Sequence, residues 1–502
     1  MFGFKLKKYH FIIIYFLIVC MFFAYSYFRY HPNDFTFALA VGCLLLACGS
    51  VIIYFSDSID NKNIYIFVFI IVVCFGLFNT FLTPIVDVCD ESEHFWRSEI
   101  TSQGVLIPDY VDIPDSNQSG YKTIASLKDL YPNTGHTVFK TDWDDRPINH
   151  STIYTSSAFP QNPFYGYLAQ AVGITIAKCL DLTNIWMLWF GRMCNLIVYA
   201  AICAVAVMKA PKFKIHLLVV ACLPLAVYQA ASLSIDSFVN CSSLLTIAYF
   251  LYMYNSGEGS LTYKNAIIFF ILAIVGGLTK VTYLALLFLI FFVPKVNFKD
   301  KRDYTFARFG VIIPIILSVL WSFGYANRVL ENSWRGPYFI KYHVNPKDQI
   351  NYLISHPRHT LNLIFELPYT IVTVIEGFFS FANLPPYGSK ILAWLYAVFF
   401  AAVSVFYPVN IKIDRKTKIG VFVISLIIYV AIIGVQFLTW CSVGEQHLIG
   451  FFGRYFIPLL AMVPICLASK FERDYDGWNP LIITMVLTFL ANSIMLTVFN
   501  YY

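Results

Sequence analysis

Residues 64–83 read IYIFVFIIVVCFGLFNTFLT, twenty positions without one charged side chain. A helix of that length rises about 30 Å, the thickness of a bilayer's hydrocarbon core. In water such a run would expose apolar surface on every side, so it reads as a membrane span. The pattern recurs at residues 10–28, 36–55, 184–208, 215–232, 237–254, 306–326, 390–408, 419–439, 452–469 and 479–499. The stretch from Asn265 to Pro294 is also apolar, but Gly276-Gly277-Leu278-Thr279-Lys280 interrupts it. That break predicts two short helices meeting at a polar turn. The expected fold class is an all-α polytopic membrane protein, one integral domain over residues 1–502 with about thirteen transmembrane helices.

Composition supports the reading. Of 502 residues, 58% are hydrophobic, 18% aromatic and only 13% charged, against roughly 25% charge in an average soluble domain. A disordered chain, a coiled coil and a soluble multidomain enzyme are excluded. The net charge of +6 is mild and suits basic cytoplasmic loops, so no nucleic-acid partner is expected. The 12 cysteines form no CxxC pair, which suggests neither a zinc site nor a redox motif. Met1 to Phe28 starts like a signal sequence but lacks a small-residue cleavage pattern, and reads as a retained first helix.

Short loops set the orientation. Lys5, Lys7 and Lys8, then Lys209, Lys212 and Lys214, then Lys295, Lys299, Lys301 and Arg302, then Lys412, Arg415, Lys416 and Lys418 form four basic clusters. Placing all four in the cytoplasm puts the N-terminus inside and the C-terminus outside. This requires that the apolar segments near 161–180 and 361–388 lie in the interface or re-enter. Gln161-Asn162-Pro163, Glu366, Glu376 and Leu384-Pro385-Pro386 suit that role. Two long extracytoplasmic stretches result, 84–183 and 327–389, longer than simple connections. Asn117-Gln118-Ser119 and Asn149-His150-Ser151 match glycosylation sequons, a triplet common by chance.

Ionisable groups are densest in Asp87-Val88-Cys89-Asp90-Glu91-Ser92-Glu93-His94-Phe95-Trp96-Arg97, directly after the third span. On a helix Asp90, His94, Arg97 and Thr101 share one face. A bland alternative makes Asp90 the N-cap and Glu93 its capping-box partner, with Glu93 paired to Arg97. Against it, carboxylates this close to hydrocarbon are costly unless they line a polar cavity. Arg192, Asp236, Lys280 and Arg454 each fall at the same end of a span. Singly, each is explained by snorkelling or helix termination. Together they describe an outer-leaflet cavity with basic groups at headgroup depth, suited to a lipid phosphate.

Carboxylates above and cations below suit transfer of a sugar from a polyprenyl phosphate. One carboxylate would accept the proton of an attacking hydroxyl. Arg or Lys would stabilise the departing phosphate beside an oxocarbenium-like transition state.

Several segments resemble, in order, the motifs of a bacterial family of multispanning membrane proteins, domain of unknown function 2142. Pro84 to Phe95 resembles its "P…DE..HF" signature, and Gln161 to Tyr167 its "P..Y". Gly191-Arg192-Met193-Cys194-Asn195 is similar to "GR..N", and Ala231 to Asp236 to "S.S.D". Lys280-Val281-Thr282-Tyr283 is similar to "K..Y", and Gly453 to Pro458 to "GRYF.P". That family is grouped with GT-C glycosyltransferases. The resemblance implies a GT-C-like bundle in a bacterial cytoplasmic membrane, with Asp90 and Glu91 at the acidic catalytic position. Asp90 is the expected base, Glu91 its partner or a metal ligand, and His94 orients a carboxylate or contacts the acceptor. Charge and depth assign Arg192, Lys280 and Arg454 to the lipid phosphate. Asp87, Asn162, Tyr165 and Asp236 are candidates for sugar or acceptor binding.

The expected partners are a polyprenyl-phosphate sugar donor, a glycan, teichoic acid or glycolipid acceptor, and the bilayer. No dedicated metal site is spaced in the sequence, so a divalent cation, Mg or Mn, would be held loosely by Asp90 and Glu91. The competing expectation is a transporter or flippase of a lipid-linked saccharide, which the broken segment at Gly276-Gly277 would also suit.

Overall fold

Eight apolar runs fold as helices long and apolar enough to cross a membrane: Lys8–Tyr30, Phe35–Ser56, Ile64–Leu82, Asn184–Lys209, Lys301–Asn332, Ser389–Phe406, Arg415–Trp440 and Asn479–Tyr501. They come from a computed structural model that describes residues 8–56, 63–113, 119–138, 140–380, 386–409, 411–468 and 478–502. Lys5, Lys7, Asn117-Gln118 and Leu384-Pro385 lie outside the described residues. The described residues are 74% helical, consistent with an all-α polytopic membrane protein.

Thirteen separate spans are not seen among the described residues, and the reasons are local. Pro224 splits the 215–232 run into Lys214–Ala221 and Pro224–Ala230. Proline removes a helix donor and fits only a first turn. Pro458 and Pro464 open two short helices, Ile457–Leu460 and Val463–Leu467, where one span was expected. The helix Tyr263–Thr279 stops at Lys280, whose backbone is extended, and a 3-10 segment continues over Val281–Phe292. Asp236–Tyr254 is a continuous 19-residue helix, but Asn240, Ser242, Ser243 and Thr246 are buried along it. Near 161–180 and 361–388 the chain forms short helices, Leu168–Cys179, Pro357–Glu366 and Thr370–Gly377. Twelve residues rise about 18 Å, too little to cross.

Asn479–Tyr501 is the central helix, with 89% of its apolar window buried; Lys8–Tyr30, packed against it, has only 22% buried. Phe23 meets Phe499 edge-on, ring centroids 5.2 Å apart. The basic loops at 209–214, 295–302 and 412–418 share one end of the bundle. There the Tyr254 hydroxyl donates to Asp414 at 3.0 Å, the Gly259 amide donates to Val296 at 2.9 Å, and the Lys418 ammonium donates to the Ala468 carbonyl.

At the opposite end, the described residues between 83 and 167 build a small layer around the acidic helix Glu91–Ser102. Its three-stranded antiparallel sheet runs β1 (Val111–Asp112), β2 (Ser119–Ile124) and β3 (Thr152–Thr155), in that order, with Tyr121 opposite Thr155. The buried Glu99 carboxylate pins the layer down. It accepts from Thr123 on β2 at 2.6 Å and from the Lys178 ammonium at 2.5 Å. A buried carboxylate is tolerated only when paired and hydrogen-bonded in this way.

Candidate functional site

The third span ends at Leu82, and the chain reaches the acidic helix through a tight turn. Val86 (φ 43°) and Asp90 (φ 65°) both sit in the left-handed region, which is a genuine strain for a β-branched residue. Gly135 and His136 clamp the turn by exchanging backbone hydrogen bonds with Ile85 at 2.9 and 3.1 Å. The turn points the neighbouring carboxylates in opposite directions. Asp90 remains 45% exposed at its side chain, whereas Glu91 is fully buried.

Glu91 meets Arg192, itself fully buried. Nε donates to Oε1 at 2.8 Å, and one Nη2 hydrogen goes to Oε2 at 2.6 Å. The other Nη2 hydrogen goes to the Pro84 carbonyl at 2.9 Å, and Nη1 serves Thr80 and Thr83 at 3.1 and 2.9 Å. A guanidinium has five N–H groups, and all five are used. In this arrangement none is left for a lipid phosphate, the role expected of Arg192. Glu91 also accepts the Leu233 amide at 3.0 Å. Its oxygens therefore face away from Asp90, and a cation shared by Asp90 and Glu91 does not fit this geometry. Among the described residues no group of three His, Cys, Asp or Glu has metal-holding geometry.

The other expected charges do converge. Arg454 lies between two carboxylates, 2.9 Å from Asp90 and 2.9 Å from Asp236. Lys280 approaches Asp236 at 3.6 Å and sits 3.2 Å over the Tyr455 ring. The four charges sum to zero, which lets them share an interior that would reject any one alone. Local structure explains the meeting. Lys280 occupies the helix break, Asp236 starts a helix, and Arg454 lies in the 3-10 turn Gly453–Phe456. The Tyr283 hydroxyl donates to the Tyr455 carbonyl at 2.6 Å and locks that turn against the break.

The acidic helix begins at Glu91, so Asp90 precedes it rather than lying on the face expected to join it to His94, Arg97 and Thr101, and the capping box is not formed. Asp90 makes no side-chain cap, because its carboxylate has turned to Arg454. Glu93 accepts from Ser157 at 2.5 Å and from the Trp334 indole at 3.2 Å rather than pairing with Arg97. The Arg97 guanidinium goes to Thr101 at 2.6 Å and Leu106 at 3.0 Å. His94 Nδ1 lies 2.9 Å from the Tyr167 hydroxyl and Nε2 3.4 Å from the Ser234 hydroxyl. His94 thus braces the Ser232–Asp236 turn behind the ionic cluster.

Three further candidates stand apart from that cluster. Asp87 accepts from the Tyr501 hydroxyl at 2.6 Å. Tyr165 donates to the Val275 carbonyl at 3.0 Å, and Asn162 donates to Tyr167 at 3.1 Å. The Asp87 and Tyr165 contacts tie the outer layer to the bundle.

Arg454 also borders a polar cavity of about 270 Å³ whose walls include Cys89, Gln229, Glu376 and Lys390. Lys390 pairs with Glu376 at 2.8 Å. Across the site Arg335 stacks 3.8 Å over the Trp440 ring. Sequence reasoning missed Lys390, Glu376 and Arg335 as site residues. They lie in or beside the long second loop, where charge is ordinary and carries no signal of depth.

Burial pushes the His94 imidazole down to about 4 and raises the Glu93 carboxyl above its ordinary value. A His held neutral in the fold binds fewer protons than in the unfolded chain. Its contribution to stability is present above pH ~6.5 and declines as pH falls from there toward the folded value. Glu93 acts with the opposite sign, stabilising at low pH and losing that contribution as pH rises through its folded pKa. His94 is therefore expected to contribute a fall in Tm from pH ~6.5 towards 4, read as a steeper slope in the wild type than in His94→Gln by thermal unfolding in detergent. An unchanged slope in that variant would assign the loss to other groups.

Comparison with known families gives one result. The family model described as predicted membrane protein (DUF2142) matches residues 72–463. No curated protein and no solved structure matches the chain. The match begins inside the third span and ends beyond the Arg454 turn, so it takes in every residue of the ionic cluster. The chain belongs to the family of predicted membrane proteins designated DUF2142.

Proposed function

We propose that the protein is a GT-C-type glycosyltransferase that moves a sugar from a polyprenyl-phosphate donor to a cell-surface glycan, teichoic acid or glycolipid on the outer face of the bacterial cytoplasmic membrane. The observation that carries the reading is the ionic cluster. An accessible carboxylate, Asp90, is held by Arg454 at the end of the bundle opposite the basic loops. The positive-inside tendency puts the basic end in the cytoplasm and the cluster outside.

In this reading Asp90 takes the proton of the acceptor hydroxyl as its oxygen bonds to the anomeric carbon. The bond from that carbon to the phosphate oxygen breaks, and the electron pair leaves with the polyprenyl phosphate. Arg454 and Lys280, fixed before the reaction by Asp236 and Tyr455, stabilise the charge that develops there. Arg192 and Glu91 hold the strained turn and take no part in the chemistry. The break at Lys280, which a transporter would also suit, serves here to bring an ammonium to the cluster.

The test uses membranes containing the full chain, labelled polyprenyl-phosphate sugars and a cell-envelope acceptor fraction. Label is expected in the acceptor. Movement of the labelled lipid across the bilayer without any transfer would overturn the enzyme reading in favour of transport.

A further inference from the structure

Two cavities of opposite chemistry meet at the helix Thr370–Gly377 and the turn Gly453–Phe456. One is the polar cavity of about 270 Å³ beside Arg454, Lys390 and Glu376. The other, about 670 Å³, has almost wholly apolar walls that include Ile371, Phe378, Phe400, Leu426, Phe456 and Cys466. The wall between them is thin because two glycines touch. A Cβ on Gly377 would lie 2.8 Å from the Gly453 Cα, so no side chain fits there. Gly377 and Gly453 border the polar cavity, and their neighbours Phe378 and Phe456 border the apolar one.

The apolar cavity runs lengthwise. From Phe456 beside the cluster it follows the chain to Leu467, next to Ala468, which accepts from Lys418 at the basic end. Aromatic contacts hold its upper rim: the Tyr429 ring lies 5.1 Å from Phe456, and the Tyr429 hydroxyl lies 2.6 Å from Thr370. Gln229, 2% exposed, lines the polar cavity with a side-chain oxygen that has no hydrogen-bond partner among the described residues, an acceptor that calls for a hydroxyl or other donor and not for a phosphate oxygen. Lys390 keeps its side chain 51% exposed while paired to Glu376.

The headgroup chamber holds two cations, Lys390 paired to Glu376 and Arg454 paired to Asp90 and Asp236, and an anionic head entering it would exchange with those carboxylates; beside one long apolar groove, it suits an amphiphile with an anionic head and a single chain. A diacyl phospholipid brings two chains to one groove. We propose that the two cavities form one binding site for a polyprenyl phosphate, with Lys390 and Arg454 at the phosphate and the isoprenoid chain in the groove between Thr370–Gly377, Pro386–Phe406 and Arg415–Trp440. The proposal rests on the glycosyltransferase reading for the identity of the lipid, and it adds where that lipid lies. Lipid already surrounds the protein, so burying the chain gains no hydrophobic free energy. Selectivity must come from the head and from groove shape.

The experiment measures lipid binding apart from catalysis. Full-length protein in detergent is offered a long-chain polyprenyl phosphate in competition with phosphatidylglycerol, and retained lipid is read by native mass spectrometry. The wild type is expected to retain the polyprenyl phosphate. Lys390→Gln, at the head, and Ala397→Trp or Leu426→Trp, filling the groove, are each expected to weaken retention roughly tenfold, with unfolding temperatures confirming that the variants fold. Equal retention of phosphatidylglycerol, or unchanged polyprenyl-phosphate binding in folded Ala397→Trp and Leu426→Trp proteins, would overturn the site. Selective binding that the variants abolish, in a wild type that transfers no sugar, would support the site and overturn the transferase reading instead.

Discussion

Asp90→Asn is expected to lower sugar transfer by about 10²–10⁴-fold, the usual contribution of a general base, with little change in folding. The two halves of this expectation have separate causes. The carboxylate is the half-exposed acid of the cluster, paired to Arg454 and close to Cys89. Replacing it removes the group that can take a proton from an incoming hydroxyl. The loss of stability is limited for two reasons. The Asp90 side chain makes no helix-cap hydrogen bond, and Asp236 still faces Arg454 at 2.9 Å. Asn also tolerates the left-handed backbone at φ 65°, as Asp does, so the turn keeps its shape. Initial rates of labelled sugar transfer and an unfolding temperature decide the matter together. Wild-type transfer in the variant would remove Asp90 from the chemistry, while a large loss of stability would make the rate uninterpretable as a base effect.

How much of this was legible in the sequence depends on which residue is asked about. Asp236, Lys280 and Arg454 could be grouped because each falls at the same end of an apolar run, and charge at that depth is rare enough to need a partner. Asp90 and Glu91, adjacent and chemically alike, could not be told apart. Their different fates come from a left-handed residue at the helix start, which a string of letters does not display. Arg192 looked like Arg454 by charge and depth. Only the carbonyls of Thr80, Thr83 and Pro84 reveal that its donors are spent. The apolar runs near 224, 280 and 458 were read as membrane segments by hydropathy. Pro224 and Pro458 break them by opening new short helices, and Lys280 has extended backbone where the helix before it stops. The breaks that shorten the helices are also what bring charged groups into the site.

Arg192→Met is expected to destabilise the protein by about 3–5 kcal/mol, the range for removing one partner of a buried ion pair. Unlike Asp90→Asn, it should act on folding before it acts on chemistry. The loss has two parts. Glu91 would remain in the interior with no cation, keeping only the Leu233 amide among its present contacts. Three carbonyls, of Thr80, Thr83 and Pro84, would also lose their donor, at about 1–3 kcal/mol for each one left buried and unsatisfied. Arg192→Lys should recover little, because one ammonium cannot reproduce a planar fork that serves a carboxylate on one side and carbonyls on the other. The double variant Glu91→Leu with Arg192→Met should recover part of the loss, since it removes the buried charge together with its partner. Unfolding temperatures of the three variants in detergent read these differences directly. The opposite pattern would be a stable Arg192→Met protein that has lost only its affinity for polyprenyl phosphate. It would return Arg192 to the lipid site and mean that the five-donor arrangement opens when substrate arrives.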